Sequence, residues 1–271
     1  VEGRGITQDY DLPGGLFSKG GTFRAVNGVD FAVEKGKTLA IVGESGSGKS
    51  TLARIIALID PQSGGDLKIT GESVNIGKTR LTHEMRSKVQ MVFQNPYGSL
   101  NPRQKIGDVL TEPLVINTDV PAAERRDRAR AMLQKVGLMP EHYNRYPHMF
   151  SGGQRQRAWI AMVLAQETAI MLLDEPTSFL DLAHQLDVLE VLAGINADDG
   201  RTVVMVLHDL ELAARYAHHV IAMHDGRIVA EGRPAEVVTE DVVAAVFGVD
   251  ALVIEDPLTG TPLVLPRPRR P

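Results

Sequence analysis

The chain of 271 residues is 43% hydrophobic and 23% charged, ordinary for a globular protein with a substantial core in one large or two small domains. A net charge of -5 argues against a nucleic-acid surface as its main business, and the absence of cysteine removes disulfides, cysteine-zinc sites and cysteine nucleophiles. No apolar run approaches the ~18 to 20 residues needed to cross a bilayer, so a soluble chain is expected, with any membrane role coming through a partner.

In chain order, the first strong pattern lies over residues 23–42. Val29, Phe31 and Val33 alternate as in a half-buried strand, Glu34-Lys35-Gly36-Lys37 reads as a turn, and Thr38-Leu39-Ala40-Ile41-Val42 is an apolar run of the kind buried on both faces. The run leads into Gly43-Glu44-Ser45-Gly46-Ser47-Gly48-Lys49-Ser50-Thr51, and a helix is predicted from Leu52 to Ile59, stopped by Pro61. Residues 43–50 fit G-x-x-x-x-G-K-[S/T] in full. Backbone N-H groups of such a loop wrap phosphates, Lys49 can reach the terminal phosphates, and Ser50 can hold Mg²⁺. The plain alternative, a glycine-rich turn with a surface lysine, is disfavoured by the strand before it and the helix after it.

Short strands are predicted over residues 66–76 around Gly71, and another over 89–93 that ends in the turn-rich Gln94-Asn95-Pro96-Tyr97-Gly98. Between about 105 and 166 the periodicity is helical, with an amphipathic, charge-laced helix at 122–136 closed by Gly137. Ser151-Gly152-Gly153-Gln154-Arg155-Gln156-Arg157 looks at first like a helix start, since serine is a good N-cap and glycine lets a backbone approach a ligand. Strand signals resume at 169–173, followed by a helix at about 182–193, a strand at 202–207, a helix at 210–217, and a hairpin turn at Asp225-Gly226. The alternation of strands and helices on both sides of the helical stretch points to an α/β domain. The tail from Pro266 is basic, Pro-rich and expected to be solvated.

The second chemical element is Ile170-Met171-Leu172-Leu173-Asp174-Glu175, an apolar strand ending in two acids. Asp174 is placed to hold Mg²⁺ through its water shell and Glu175 to polarise an attacking water, a division that phosphoryl transfer requires. Two acids after a strand are as often helix-cap residues; the phosphate loop upstream shifts the balance.

With these motifs the chain resembles the ATP-binding cassette (ABC) family. The correspondence takes residues 43–51 as the phosphate loop, Gln94 in the Q-loop, Ser151-Gly152-Gly153-Gln154 as the signature and Asp174-Glu175 as the acidic strand end. It then takes Ser178-Phe179-Leu180-Asp181 as the D-loop and His208 as the switch histidine, all in the family's order. The resemblance implies an α/β fold of the P-loop NTPase, ABC type: a mostly parallel RecA-like core, an antiparallel β subdomain, and a helical subdomain over about 100–166 within a single ATPase domain over 1–265. It implies catalytic roles for Glu175, His208 and Gln94, ATP contacts from residues 43–51 and Asp174, and Mg²⁺ at Ser50, Gln94 and Asp174. Gln94 and His208 each end a predicted strand, where an amide can meet Mg²⁺ or the lytic water and an imidazole the γ-phosphate, although a loop glutamine taken alone is usually just solvated and a lone strand-end histidine more often structural. Tyr10 matches the position whose ring stacks on adenine, with Phe17 and Phe23 as alternatives and a core role open for all three. The other histidines show no metal-ligand spacing.

In this family the signature acts across a dimer. The resemblance therefore implies that Ser151, Gly152, Gly153 and Gln154, with Asp181, serve the triphosphate held by a second ABC ATPase subunit. Further implied partners are integral membrane permease subunits and, indirectly, an extracytoplasmic substrate-binding protein, which puts the chain peripherally at the cytoplasmic face of the cell membrane; no nucleic-acid partner is expected. Residues 92–103 and 142–150 resemble dipeptide, oligopeptide and nickel importers, whereas 158–168 and 254–264 resemble ferric-siderophore importers. The expectation is a recombined, engineered or divergent chain with its seam at 151–157. The permease-docking segments are of the peptide type, so peptide uptake leads, with siderophore uptake as the alternative and a soluble ATPase acting on ribosomes or DNA behind both.

Overall fold

Two antiparallel strands open the chain, β1 (Glu2–Leu12) and β2 (Gly21–Ala32), paired from Glu2↔Ala32 to Leu12↔Gly21. The sequence reading does not anticipate β1. Its buried positions are Gly3, Ile6 and Gln8, and a glycine and a glutamine give no apolar alternation. The computed structural model describes residues 1–12, 21–74, 82, 84–85, 88–92, 101–117, 119–165, 168–178 and 180–268. It divides the chain into two units, Val1–Arg86 with Val204–Pro271, and Ser87–Val203.

In the first unit, β3 (Thr38–Gly43) is buried at every residue, as a strand covered on both faces must be. Helix α1 (Lys49–Ile56) buries Leu52, Ala53, Ile55 and Ile56. It begins three residues before the predicted start because Gly48 serves as N-cap and accepts the Leu52 N-H at 2.9 Å. It also ends before Pro61 is reached, since Leu58 turns into the left-handed region at φ 60. Strands β4 (Gly64–Ile69) and β5 (Glu72–Val74) then complete an antiparallel sheet of order β2-β1-β4-β5.

The second unit starts at β6 (Val89–Val92). Helices α2 (Ile106–Asn117), α3 (Ala122–Lys135) and α4 (Gly152–Ala165) pack on one another. Helix α3 buries only Ala129 and Leu133, one turn apart, and its outer face carries pairs such as Arg128 to Glu124 at 2.8 Å. Helix α4 buries Trp159, Ile160 and Val163. Strand β7 (Ile170–Asp174) runs parallel to β6, in register from Val89↔Ile170 to Val92↔Leu173. Helix α5 (Leu182–Asp199) is longer than predicted and stops at Gly200, which takes φ 62. Lys135 and Asp199, 2.6 Å apart, join the ends of α3 and α5.

Strand β8 (Thr202–Val206) carries the chain back into the first unit, where Leu207 N donates to Ile41 O of β3 at 3.0 Å. Helix α6 (Leu210–Tyr216) follows, capped by the Asp209 carboxylate. Strand β9 (His219–His224) pairs parallel with β3, and β10 (Arg227–Gly232) pairs antiparallel with β9. The turn between them has Asp225 at φ 46 and Gly226 at φ 74, as a two-residue hairpin loop requires. After the short α7 (Pro234–Val237) and α8 (Glu240–Phe247), β11 (Ala251–Glu255) and β12 (Pro262–Pro266) form a terminal hairpin, with β12 packed on α6.

Candidate nucleotide site

The loop between β3 and α1 is shaped by its glycines. Gly43 has φ 151, and a side chain there would run into the Met223 carbonyl oxygen; Gly48 has φ 97, and a Cβ would meet the Ala25 carbonyl oxygen. Neighbouring chain therefore holds the loop from outside. The Gly226 N-H donates to Ser47 O at 3.1 Å, and Asn27 N donates to Gly226 O at 2.8 Å. The hairpin turn at Asp225-Gly226 is thus part of the loop's support, which nothing in the local sequence signals beyond the turn itself.

Inside the loop, the Lys49 ammonium is buried and donates to the carbonyls of Gly43 at 2.9 Å and Glu44 at 2.6 Å. Ser47 Oγ is buried with no hydrogen-bond partner among the described residues. Glu44, Ser45 and Gly46 form the exposed crown, while Ser50 and Thr51 sit half-buried in the first turn of α1. An ammonium, a hydroxyl without a partner among the described residues and helix N-terminal amides within one loop are groups that suit oxyanions, so these residues fit a polyphosphate.

Elsewhere in the first unit, Tyr10 is 37% exposed and lies directly across from Phe23, itself half exposed. The Tyr10 hydroxyl donates to Asp60 Oδ2 at 3.4 Å. Arg54 grips the same carboxylate at 2.7 and 3.0 Å and holds its pKa below the usual carboxylate range. Both aromatic side chains are thus partly exposed on paired strands. His208 is exposed, one residue beyond the buried Leu207 and next to the cap of α6.

The second unit holds the acidic strand end. Asp174 closes β7 at 8% exposure. Glu175 follows at φ 49, a left-handed conformation unusual for a glutamate, which turns the chain out of the strand. Its Oε2 accepts from Ser178 Oγ at 2.9 Å, and its carbonyl accepts from Ser178 N at 3.1 Å. Ser178 thus fixes the direction of the carboxylate. The resemblance places Ser178 in the D-loop stretch but assigns it no contact with Glu175; the signal for that contact is its spacing, three residues after an acid.

Helix α4 begins with a reciprocal cap. Ser151 Oγ accepts from Gln154 N at 3.3 Å, and Gln154 Oε1 accepts from Ser151 N at 3.1 Å. Gly153 is buried and Gly152 half-buried. Asp181 caps α5, accepting from His184 N at 3.0 Å, and its Oδ1 lies 2.6 Å from His184 Nδ1. The backbone N-H of His184, and then its ring, hold Asp181 below the ordinary carboxylate range. Gln94, Phe17 and Phe179 lie outside the described residues.

The described parts of the predicted constellation thus fall into two sets. Tyr10, the loop at 43–51 and His208 belong to the first unit, and Ser151 to Gln154, Asp174, Glu175 and Asp181 to the second.

Comparison with known proteins bears on the family and the fold. The family model for the ABC transporter matches residues 26–178. The di/tripeptide transport ATP-binding protein DppF of Pseudomonas aeruginosa is 45% identical over 99% of this chain and 80% of its own length. The ferric enterobactin transport ATP-binding protein FepC of Escherichia coli is 38% identical over 91% of this chain and 90% of its own. Both alignments extend well past residues 151–157, so neither likeness is confined to one half. A dimeric ATP-binding cassette solved in a post-hydrolysis state with ADP and Pi superposes with TM-score 0.74 at 30% identity, covering 86% of this chain and 98% of that one. The α/β fold built on a phosphate loop is therefore that of the solved cassettes, and the chain belongs to the ABC transporter family.

Proposed function

We propose that this chain is the ATP-binding and hydrolysing subunit of an importer for dipeptides or oligopeptides, a single ATPase domain over residues 1–265 that carries a helical subdomain at about 100–166. The observation that carries the ATPase reading is the loop at 43–51: two glycines fixed against carbonyls, a buried ammonium, and a hydroxyl without a partner among the described residues. Lys49 donates to the carbonyls of Gly43 and Glu44, and phosphate oxygens are stronger acceptors for the same ammonium. Tyr10 offers its ring to adenine.

Ser50, Asp174 and the amide of Gln94 supply oxygen donors that suit magnesium, a hard cation that would draw charge from the β- and γ-phosphates when bound. Glu175, aimed by Ser178, accepts a proton from the attacking water, and His208 and Gln94 attend the γ-phosphate. Ser151 to Gln154 and Asp181 close on the nucleotide of a second subunit, so turnover depends on dimer formation. The solved cassette with ADP and Pi is a dimer, which supports this reading.

Among the described residues no helix is long and apolar enough to cross a membrane. The subunit is held at the cytoplasmic face by permease subunits, and cargo reaches it from an extracytoplasmic binding protein. Peptide cargo follows from the relatives, the first of which are named for dipeptide transport. A second reading, ferric-siderophore import, is favoured by the likeness to FepC and by segments 158–168 and 254–264.

The test has two parts. ATPase activity per subunit should rise with protein concentration, and Glu175→Gln should bind ATP, accumulate as a dimer in size-exclusion chromatography and turn over about 10² to 10⁴ times more slowly. Normal turnover in Glu175→Gln removes the glutamate from the base role. Purification with its permease, followed by uptake of labelled dipeptide against labelled ferric siderophore, decides the cargo.

A further inference from the structure

Gly153 leaves no room for a side chain, and the group that fills the space is unexpected: a Cβ there would overlap Cδ2 of the His184 ring. This imidazole comes from the first turn of α5, yet it lies against the second residue of α4. Both belong to the second unit. The ring is held in place, because Asp181 Oδ1 lies 2.6 Å from Nδ1 and also accepts the His184 backbone N-H at 3.0 Å. A carboxylate that grips both the amide and the ring of one residue leaves the side chain few alternative rotamers. His184 thus forms a strut between the cap of α5 and the glycine turn that opens α4.

We propose that His184 is a positioning residue for the signature: locked by Asp181, its ring sets the backbone at Gly153 so that the first-turn amides of α4 and the Ser151 hydroxyl present one fixed face to the triphosphate of a second subunit. The inference rests on the reading that the signature acts across a dimer. The need for rigidity is physical. Ser151 is held by the cap pair with Gln154, but the two glycines after it have no side chains of their own to pin the turn. An amide array binds an oxyanion well only when its donors are prearranged, since ordering them during binding lowers the affinity. The pair also links the D-loop to the signature inside one subunit, so a shift of Asp181 is passed to Gly153 through a ring rather than through flexible backbone.

Two substitutions separate the parts of the strut. His184→Asn can keep a donor to Asp181 but removes the ring from Gly153; His184→Phe keeps a ring but loses the hydrogen bond. Each is placed in the Glu175→Gln background, and three quantities are read: ATP affinity of the monomer, the ATP-dependent dimer dissociation constant, and the thermal midpoint. The expected result is unchanged monomer ATP affinity and an unchanged midpoint, with dimerisation weakened about tenfold or more in His184→Asn and by a smaller factor in His184→Phe. Unchanged dimerisation in both variants overturns the proposal. So does weakened dimerisation that merely follows a lowered midpoint, because the residue is then only structural. If the Glu175→Gln parent does not dimerise with ATP, the trans reading of the signature fails first, and this inference falls with it.

Discussion

The two units fix the groups proposed to meet the nucleotide by opposite means. In the first, backbone does the shaping: Gly43 and Gly48 sit where any side chain would meet a carbonyl, and the Asp225-Gly226 turn props the loop from outside. In the second, side chains do it: Ser151 and Gln154 cap each other, Ser178 aims Glu175, and Asp181 locks His184 against Gly153. A backbone cradle is complete within one chain and can bind on its own. A side-chain array of this kind orients groups toward something else, which suits the half of a site that another subunit completes.

The sharpest way to break that contrast is Lys49→Ala. It removes the cation inside the cradle and should lower ATP turnover by about 10² to 10³ or more, with ATP binding by the monomer lost as well. Equilibrium binding of a fluorescent ATP analogue and a steady-state phosphate-release assay check this. If the monomer still binds ATP at wild-type affinity, the cradle is not the primary site. Ser178→Ala acts in the other unit and should do the reverse, leaving monomer binding intact while turnover falls about tenfold as the Glu175 carboxylate loses its aiming hydroxyl. A fall in affinity without a fall in maximal rate would remove Ser178 from that role.

The smallest expected effect concerns stability, and it is read through the pH dependence at His142 in the second unit. Burial, and then the Arg145 charge, depress the pKa of His142 below its ordinary 6.5, and its neutral Nδ1 accepts the Met139 N-H at 3.2 Å. Because the unfolded chain takes up this proton first, the contribution is complete above about pH 6.5 and declines as the pH falls from there to the folded pKa, below which it levels off. Thermal midpoints measured between pH 7.5 and 5, chosen around the reference histidine pKa of about 6.5, should fall in wild type and fall less in His142→Asn, which retains an acceptor but does not titrate. Parallel curves for the two proteins would show that another group carries the dependence.

What the sequence made legible follows the same contrast. The loop at 43–51 was readable because each constraint on it is local: a buried strand, glycines at fixed spacing, a lysine and a helix start. The hairpin at Asp225-Gly226 was readable for the same reason, although its contact with Ser47 was not, since nothing in a two-residue turn says what it will touch. Strand β1 escaped notice because Gly3 and Gln8 hold two of its inward positions. The start of α1 was set too late because Lys49, Ser50 and Thr51 look like loop chemistry but have helical backbone. Ser178 and His184 could not be assigned from sequence, for their roles depend on distances to Glu175 and Gly153 that only the folded chain supplies.

The turn that braces the phosphate loop has a consequence for synthesis. Ser47 leaves the ribosome roughly 180 residues before Gly226, the residue whose amide holds it. At translation rates of about 5 to 20 residues per second, the loop waits on the order of ten to forty seconds without its prop. Through that interval the nascent chain already carries every residue of the loop motif but lacks the brace that fixes its shape. The braced form of the loop therefore exists only once the segment from Val204 onward has met the first 86 residues.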